Sequence, residues 1–294
     1  MNPKLSRKTL GLGLASLLAA NVGLATASAD SLMLDFGQTT VAAPYLTLSP
    51  GHATGAIPMS DTSWNIITSS SPSSSLVYGS GASATGLTLT LGQEASAGSS
   101  VISFSTSIAN VNLAGTGGSV AGQKNLLGTG SIYGDDTSST AAGRDGFFGA
   151  AGSAIGLRLD GLAAGDYLFY VMARNVNSDA ASIPMNIYAA AGASAGTFDF
   201  SSVTGSQQSN VGYPSLNYAG QYNTFVNGEN YVGLSLTVGA GQSVFFAVDG
   251  QPTGELRGFL NSVQIASVPE PGTAAMFAMG MGILLRLWHK RPTA

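Results

Sequence analysis

The 294-residue chain contains no cysteine and only two histidines, and 9% of its residues are charged. Without cysteine there can be no disulfide framework, thiolate zinc site, iron–sulfur cluster or cysteine nucleophile. Two histidines leave little for a histidine metal site, and one of them, His289, lies in the last six residues. Sparse charge and 40 glycines argue against a helical cytosolic enzyme and for strands joined by turns.

What charge there is divides unevenly along the chain. Six of the eleven basic residues (Lys4, Arg7, Lys8, Arg286, Lys290, Arg291) sit in the terminal segments. Five bases remain between them against all fifteen acids, a net of −10 from Asp30 to Glu270. Such a body repels nucleic acid and anionic lipid, and it has no basic helix with interleaved aromatics.

The N-terminus reads as a secretory signal peptide. Basic Lys4, Arg7 and Lys8 precede an apolar run from Leu10 to Ala20 and a small-residue stretch ending in Ala27, Ser28 and Ala29, so cleavage is expected after Ala29. The run is shorter than the roughly 20 apolar residues of a spanning helix, which disfavours a permanent N-terminal anchor.

The C-terminus has three parts in order: Val268-Pro269-Glu270-Pro271-Gly272, an apolar helix expected over 273–288, and a basic end at 286–291 that includes Arg286, Lys290 and Arg291. The prolines prevent strand or helix from continuing and leave an accessible segment. The apolar part holds that segment at a membrane, with Arg286 snorkelling and Trp288 at the interface. The basic end stays cytoplasmic by the positive-inside rule, so both ends of the precursor start inside and the middle lies outside. A terminal helix packed on the domain should be amphipathic, and Ala274 to Leu285 has no polar face.

This tail resembles the PEP-CTERM sorting signal of Gram-negative bacteria, with Pro269, Glu270 and Pro271 at the namesake positions. The resemblance implies recognition, and cleavage near that motif, by an exosortase, a membrane-embedded cysteine transpeptidase. Val268 to Gly272 would then be a substrate site, and the protein would be bound for the cell surface or extracellular matrix. The rival reading of the same tail is an uncleaved membrane anchor.

Between the ends the apolar period is two. Leu87-Thr88-Leu89-Thr90-Leu91 and 232–238 alternate apolar with small residues, as strands with one buried face do. Further strands are expected at 32–36, 64–67, 101–106, 155–159, 167–172, 185–189, 243–248 and 259–265. Those at 167–172 and 243–248 are apolar on both faces and belong in sheet centres. Residues 161–166 form a hairpin or sheet-to-sheet corner, 79–86, 115–122 and 192–196 are glycine-rich loops, and 144–151 suggests a short helical turn. No linker divides the body, so residues 30–267 are expected to form one all-β domain, an antiparallel β-sandwich of jelly-roll type. Leu34-Asp35-Phe36-Gly37, Trp64-Asn65, the 161–167 corner and the Gly258 to Ile265 strand are together similar to the frame of many PEP-CTERM-anchored β-sandwich proteins. That similarity implies architecture and no particular activity.

Catalytic constellations are thin. His52, the body's one histidine, lies in a loop-like segment, and there is no Gly-x-Ser-x-Gly elbow. Glu94, Glu229 and Glu255 read as turn acids, and Trp64, the body's one tryptophan, as core. No enzyme activity is expected. Oxygen-rich Asp135, Asp136 and Asp145 could hold calcium, against a plain acidic turn; no other cofactor is suggested. Tyr213, Tyr218, Tyr222 and Tyr231, interleaved with asparagines, could stack on sugars, the alternative being a wet loop at the sandwich edge. The expected role is therefore structural or interactive at the cell surface, with exosortase and the export machinery as partners. The alternative is a carbohydrate-binding module taking extracellular polysaccharide. The serine- and threonine-rich stretches at 68–75 and 137–140 read as loops open to O-glycosylation.

Overall fold

The computed structural model describes residues 30–37, 40–55, 61–105, 112–114, 130–135, 141–149, 152–176, 184–210, 222–250 and 257–268. The expected signal peptide and all of the sorting tail after Val268 lie outside them. Among the described residues no helix is long and apolar enough to cross a membrane.

The body is all-β. Its strands are β1 (Ser31–Phe36), β2 (Asn65–Ile67), β3 (Thr88–Glu94), β4 (Val101–Ser103), β5 (Asn112–Ala114), β6 (Gly146–Phe148), β7 (Ile155–Asp160), β8 (Gly165–Met172), β9 (Met185–Ala193), β10 (Thr197–Asp199), β11 (Ser206–Gln208), β12 (Val232–Val238), β13 (Gln242–Asp249), β14 (Phe259–Leu260) and β15 (Ser262–Ser267). Among the described residues, one α-helical turn, α1, spans Pro50–Thr54. One sheet has the order β12-β8-β15-β1-β2, a second β10-β4-β3-β7-β13-β9-β11, and a small third β14-β6-β5. Pairing is antiparallel throughout except for β1 with β2.

The two large sheets face each other across one core. Alternation places Leu32, Leu34 and Phe36 of β1, and Phe169 and Val171 of β8, on the inner side of the first sheet. They meet Leu89, Leu91, Leu157, Leu159, Val244 and Phe246 from the second. Phe169 and Phe246 touch edge to face across the gap, with centroids 5.3 Å apart. Burying one such side chain contributes roughly 1.5–3 kcal/mol, and aromatic pairing adds roughly 0.5–1.5 kcal/mol. The two-sided apolar strands take the expected central places, β8 between β12 and β15 and β13 between β7 and β9. The chain crosses between sheets at 161–164, where Gly161 has φ +91° and a β-carbon would strike the Gly86 carbonyl.

Sheet connectivity follows a simple alternation. Without the edge additions, β1, β8, β12 and β15 lie in the first sheet, and β7, β9, β11 and β13 in the second. Successive strands of this set change sheet at every step but one, β9 to β11.

The second sheet curls at its β4–β10 edge. Gly92 and Gly156 stand directly opposite each other, and a β-carbon on either would strike the Ile102 side chain. Their bare backbone lets β4 fold over the outer face, enclosing Ile102, Phe104, Phe198, Phe200, Phe245 and Ala247 in a second cluster. Phe198 and Phe245 stack there at 5.5 Å. Glu94 is buried at the end of β3, where its Oε2 accepts from the Gly98 amide at 2.9 Å, so it is not the solvated turn acid expected. Desolvation, then the nearby Glu94 charge, pushes the Asp249 carboxyl up to about 6.

Two further expectations are corrected. Residues 146–148 form a strand, β6, paired with β14 and β5, where a helical turn was expected. Gly192 belongs to β9, which continues to Ala193 because β13 offers it partners as far as Gln242.

Two outcomes follow from the curl. Gly156→Ala should lower unfolding stability by roughly 1–3 kcal/mol, and Ile102→Ala in the same chain should relieve part of that loss, as measured by urea denaturation of single and double variants. The unfolded aspartate titrates near 3.8 and folded Asp249 near 6, so between those values the folded chain binds the extra proton. Stability should therefore fall as pH rises from about 4 to about 6, and Asp249→Asn should flatten that part of the profile.

Candidate functional site

At the open edge of the first sheet, β2 and residues 72–77 enclose a groove of about 490 Å³. Asn65 fixes the groove's width. Its Nδ2 donates to the Met33 and Val77 carbonyls at 3.0 and 2.7 Å, and its Oδ1 accepts from the Val77 amide at 2.8 Å. The other end of the segment is tied to the second sheet by reciprocal Ser73–Leu89 backbone bonds of 2.9 Å. Residues 73–77 thus bridge the two sheets along this edge.

Trp64 forms one wall of the groove. It is half-buried, and its Nε1 donates to the Leu46 carbonyl at 3.0 Å, which fixes the ring plane. With Ile66 it packs on a cluster of Val41, Tyr45, Ala141 and Ala142. The opposite rim carries exposed Pro72, Ser74 and Ser75 and half-buried Ser73. No charged side chain is among the described residues lining it. A pinned indole in a lining shared with three serines suits a ligand with an apolar face and many hydroxyls; the lining offers nothing to balance a ligand charge. Trp64 was expected in the core; it packs against the Val41 cluster as expected, but is only half-buried and also lines this groove.

A second hollow of about 300 Å³ lies on the outer face of β8 and β12, among Thr54, Leu168, Tyr170, Asn227, Tyr231 and Ser235. Here the Thr54 hydroxyl donates to Tyr170 Oη at 3.0 Å, and the rings of Tyr170 and Tyr231 lie 6.1 Å apart. Tyr231 is 6% exposed. Tyr222 is 4% exposed, edge-on to Tyr133 at 5.6 Å and under the Arg174 guanidinium at 5.4 Å. Neither ring presents an open face for a sugar. Tyr213 and Tyr218 lie outside the described residues. Nearby asparagines serve the backbone: Asn227 Oδ1 accepts from the Gly233 amide, and Asn230 bonds to Val226 and Thr224.

His52 is 5% exposed and sits on α1, where an exposed loop was expected. Pro50 at the first helical position and Gly55 in the left-handed conformation after the last one delimit this turn. Its Nε2 faces the Asp61 carbonyl at 2.8 Å and its Nδ1 faces Ser49 Oγ at 2.5 Å. A carbonyl can only accept, so Nε2 carries the proton and Ser49 donates to Nδ1. Ser49 Oγ in turn accepts from Gln264 Nε2 at 2.6 Å, and Gln264 Oε1 accepts from the Gly51 amide at 2.8 Å. Ser49 is 1% exposed and Asp61 turns its carboxylate to Ser31. The chain of bonds closes on itself, pins α1 to the sheet and occupies both the donor and an acceptor position of Ser49.

The expected calcium residues are separated in role. Asp135 Oδ2 accepts from the Tyr45 hydroxyl at 3.0 Å, and its carbonyl accepts from Arg144. Burial, and then this hydrogen bond, raise the Tyr45 pKa. Asp145 is fully buried, and Asp136 lies outside the described residues. No group of three or more histidine, cysteine or acidic residues that could hold a metal occurs among the described residues.

No family model matches the chain, and no curated protein matches it. Among solved structures, the carbohydrate-binding module TmCBM61, determined in complex with β-1,4-galactotriose, matches with 9% identity over 55% of this chain and 85% of its own, at a TM-score of 0.26. A cleaved adhesin domain of Lys-gingipain from Porphyromonas gingivalis matches with 17% identity over 54% of this chain and 92% of its own, at a TM-score of 0.27. At such scores neither likeness bears on what this chain binds.

Proposed function

We propose that this chain is an exported, non-enzymatic β-sandwich protein that binds a neutral extracellular polysaccharide in the Trp64 groove. The observation carrying this reading is the groove itself: an indole held in one orientation, in a lining that includes three serines and no charged group among its described residues. A body of net charge −10 would discourage polyanions at the same place. We read the alternating eight-strand path as a jelly roll.

A second reading concerns delivery, and a structural role at the surface or in the matrix is compatible with it. β15 ends at Ser267, and Val268 is 41% exposed where the chain leaves the sheet. The Val268-Pro269-Glu270-Pro271-Gly272 motif begins at that point. On the PEP-CTERM resemblance, an exosortase would cut there after the signal peptide has been removed at Ala29.

On a panel of neutral and acidic glycans, the full chain should show saturable binding to a neutral polymer. Trp64→Ala should weaken it about tenfold or more, the scale expected for a central aromatic contact; unchanged binding in that variant would rule out the groove. Intact mass of protein from the cell surface and medium should reveal a species starting near Asp30 and ending near Pro271. A species that keeps residues 273–294 and is found only in membranes would show that the tail is a permanent anchor.

A further inference from the structure

The outer face of the first sheet carries a polar row that the groove does not use. Asp35 of β1 stands opposite Ser262 of β15, and Ser262 opposite Met172 of β8. Residues 141–145 lie over this row: a β-carbon on Gly143 would meet the Met172 methyl group, and one on Gly37 would meet the Asp145 carboxyl. Gly37 is two residues beyond Asp35 on the same strand direction, so the Asp145 carboxyl sits one pleat away from that of Asp35. The Asp145 backbone is held there by Asn261, whose Nδ2 donates to its carbonyl at 2.8 Å.

All three side chains are buried, Asp35 and Asp145 at 0% exposure and Ser262 at 1%. Both carboxylate oxygens of Asp35, and the Ser262 hydroxyl, have no hydrogen-bond partner. A buried carboxylate without donors is costly, and a second carboxylate beside it makes the cost larger. The Asp35 pKa is accordingly raised, first by burial and then by the Asp145 charge. A cation held beside Asp35 would offset that cost.

We propose that Asp35, Asp145 and Ser262 form a site for a hard divalent cation of the calcium class. The donors are all oxygen, with no imidazole or thiolate to favour a transition metal. Main-chain carbonyls and water complete such a shell in known chemistry of this ion. The cation ties residues 141–145 to β1 and β15. Ala141 and Ala142 also pack in the cluster that supports Trp64, so the ion stiffens one wall of the groove. That last consequence rests on the saccharide reading; the cation site does not.

The test compares the full chain in EGTA and in calcium chloride, by thermal unfolding and by terbium luminescence sensitised through the protein's aromatic residues. At a calcium concentration about a hundred times the Kd, the melting temperature should rise by roughly 5–10 °C, and terbium should give a saturable signal that calcium competes away. Asp35→Asn should abolish both effects. In EGTA it should melt at or above the wild-type temperature, because the substitution removes a buried charge. Ser262→Ala should keep the fold and weaken the calcium response. A wild-type chain indifferent to calcium and silent with terbium would overturn the proposal and mean that the pair shares a proton instead. An Asp35→Asn variant that keeps the calcium response would also overturn it. If the calcium effects appear but no glycan binds, the cation site stands and the saccharide reading falls.

Discussion

An amide side chain inside a β-sandwich must satisfy a donor group and an acceptor with no help from water, and this structure depends on how it does so. Asn65, Gln208, Asn261 and Gln264 are all buried, and each bonds to main-chain groups that the sheets leave unpaired. Asn261 is the clearest case. Its own carbonyl and amide bond to Phe36 and Met172, its Oδ1 accepts from the Arg174 amide at 2.6 Å, and its Nδ2 holds Asp145. One residue thereby joins β1, the end of β8 and the 141–145 segment. Removing a partner from such a network costs the full desolvation of the group left behind.

This solution fits a chain with few charges and no cysteine. Where a small exported domain could use disulfides to fasten its loops, here Gln208 fastens the end of β8 by bonding both polar groups of Ala173. Asn65 likewise fastens residues 73–77 to β2, and Gln264 fastens α1. The groove follows from the second of these: Asn65 spends its amide on the backbone of Met33 and Val77, while Trp64, just before β2, lines the groove. The outer polar row of Asp35 and Ser262 has no such amide, and the proposed cation would take its place there.

Much of the architecture was legible in residue order. The alternation at 87–91 and 232–238, and the two-sided apolar runs at 167–172 and 243–248, report local burial directly, and those strands stand where the pattern puts them. What stayed hidden depends on distant residues. Gly146 to Phe148 becomes a strand because Phe259 and Leu260 offer it a partner more than 110 residues away. His52 is buried because Gln264 and Asp61 receive its helix. Glu94 is buried by a curl that depends on Gly92 and Gly156 being bare. For the site, the tyrosine-rich stretch was the conspicuous signal, yet Tyr222 and Tyr231 are packed inward. Trp64 reads as core and does pack on the Val41 cluster, yet it lines the groove as well, because the edge next to it is bridged by residues 73–77, a contact that its neighbours in sequence do not report.

The central claim is that the Trp64 indole meets a neutral saccharide. Trp64 and Trp288 are the chain's two tryptophans, so in a Trp288→Phe chain the emission reports Trp64 alone. Titrating that chain with a neutral polysaccharide should give a saturable change in indole emission, with an acidic polymer of the same length giving none. An emission spectrum that neutral polymers leave unmoved, or that responds equally to the acidic one, would contradict the account.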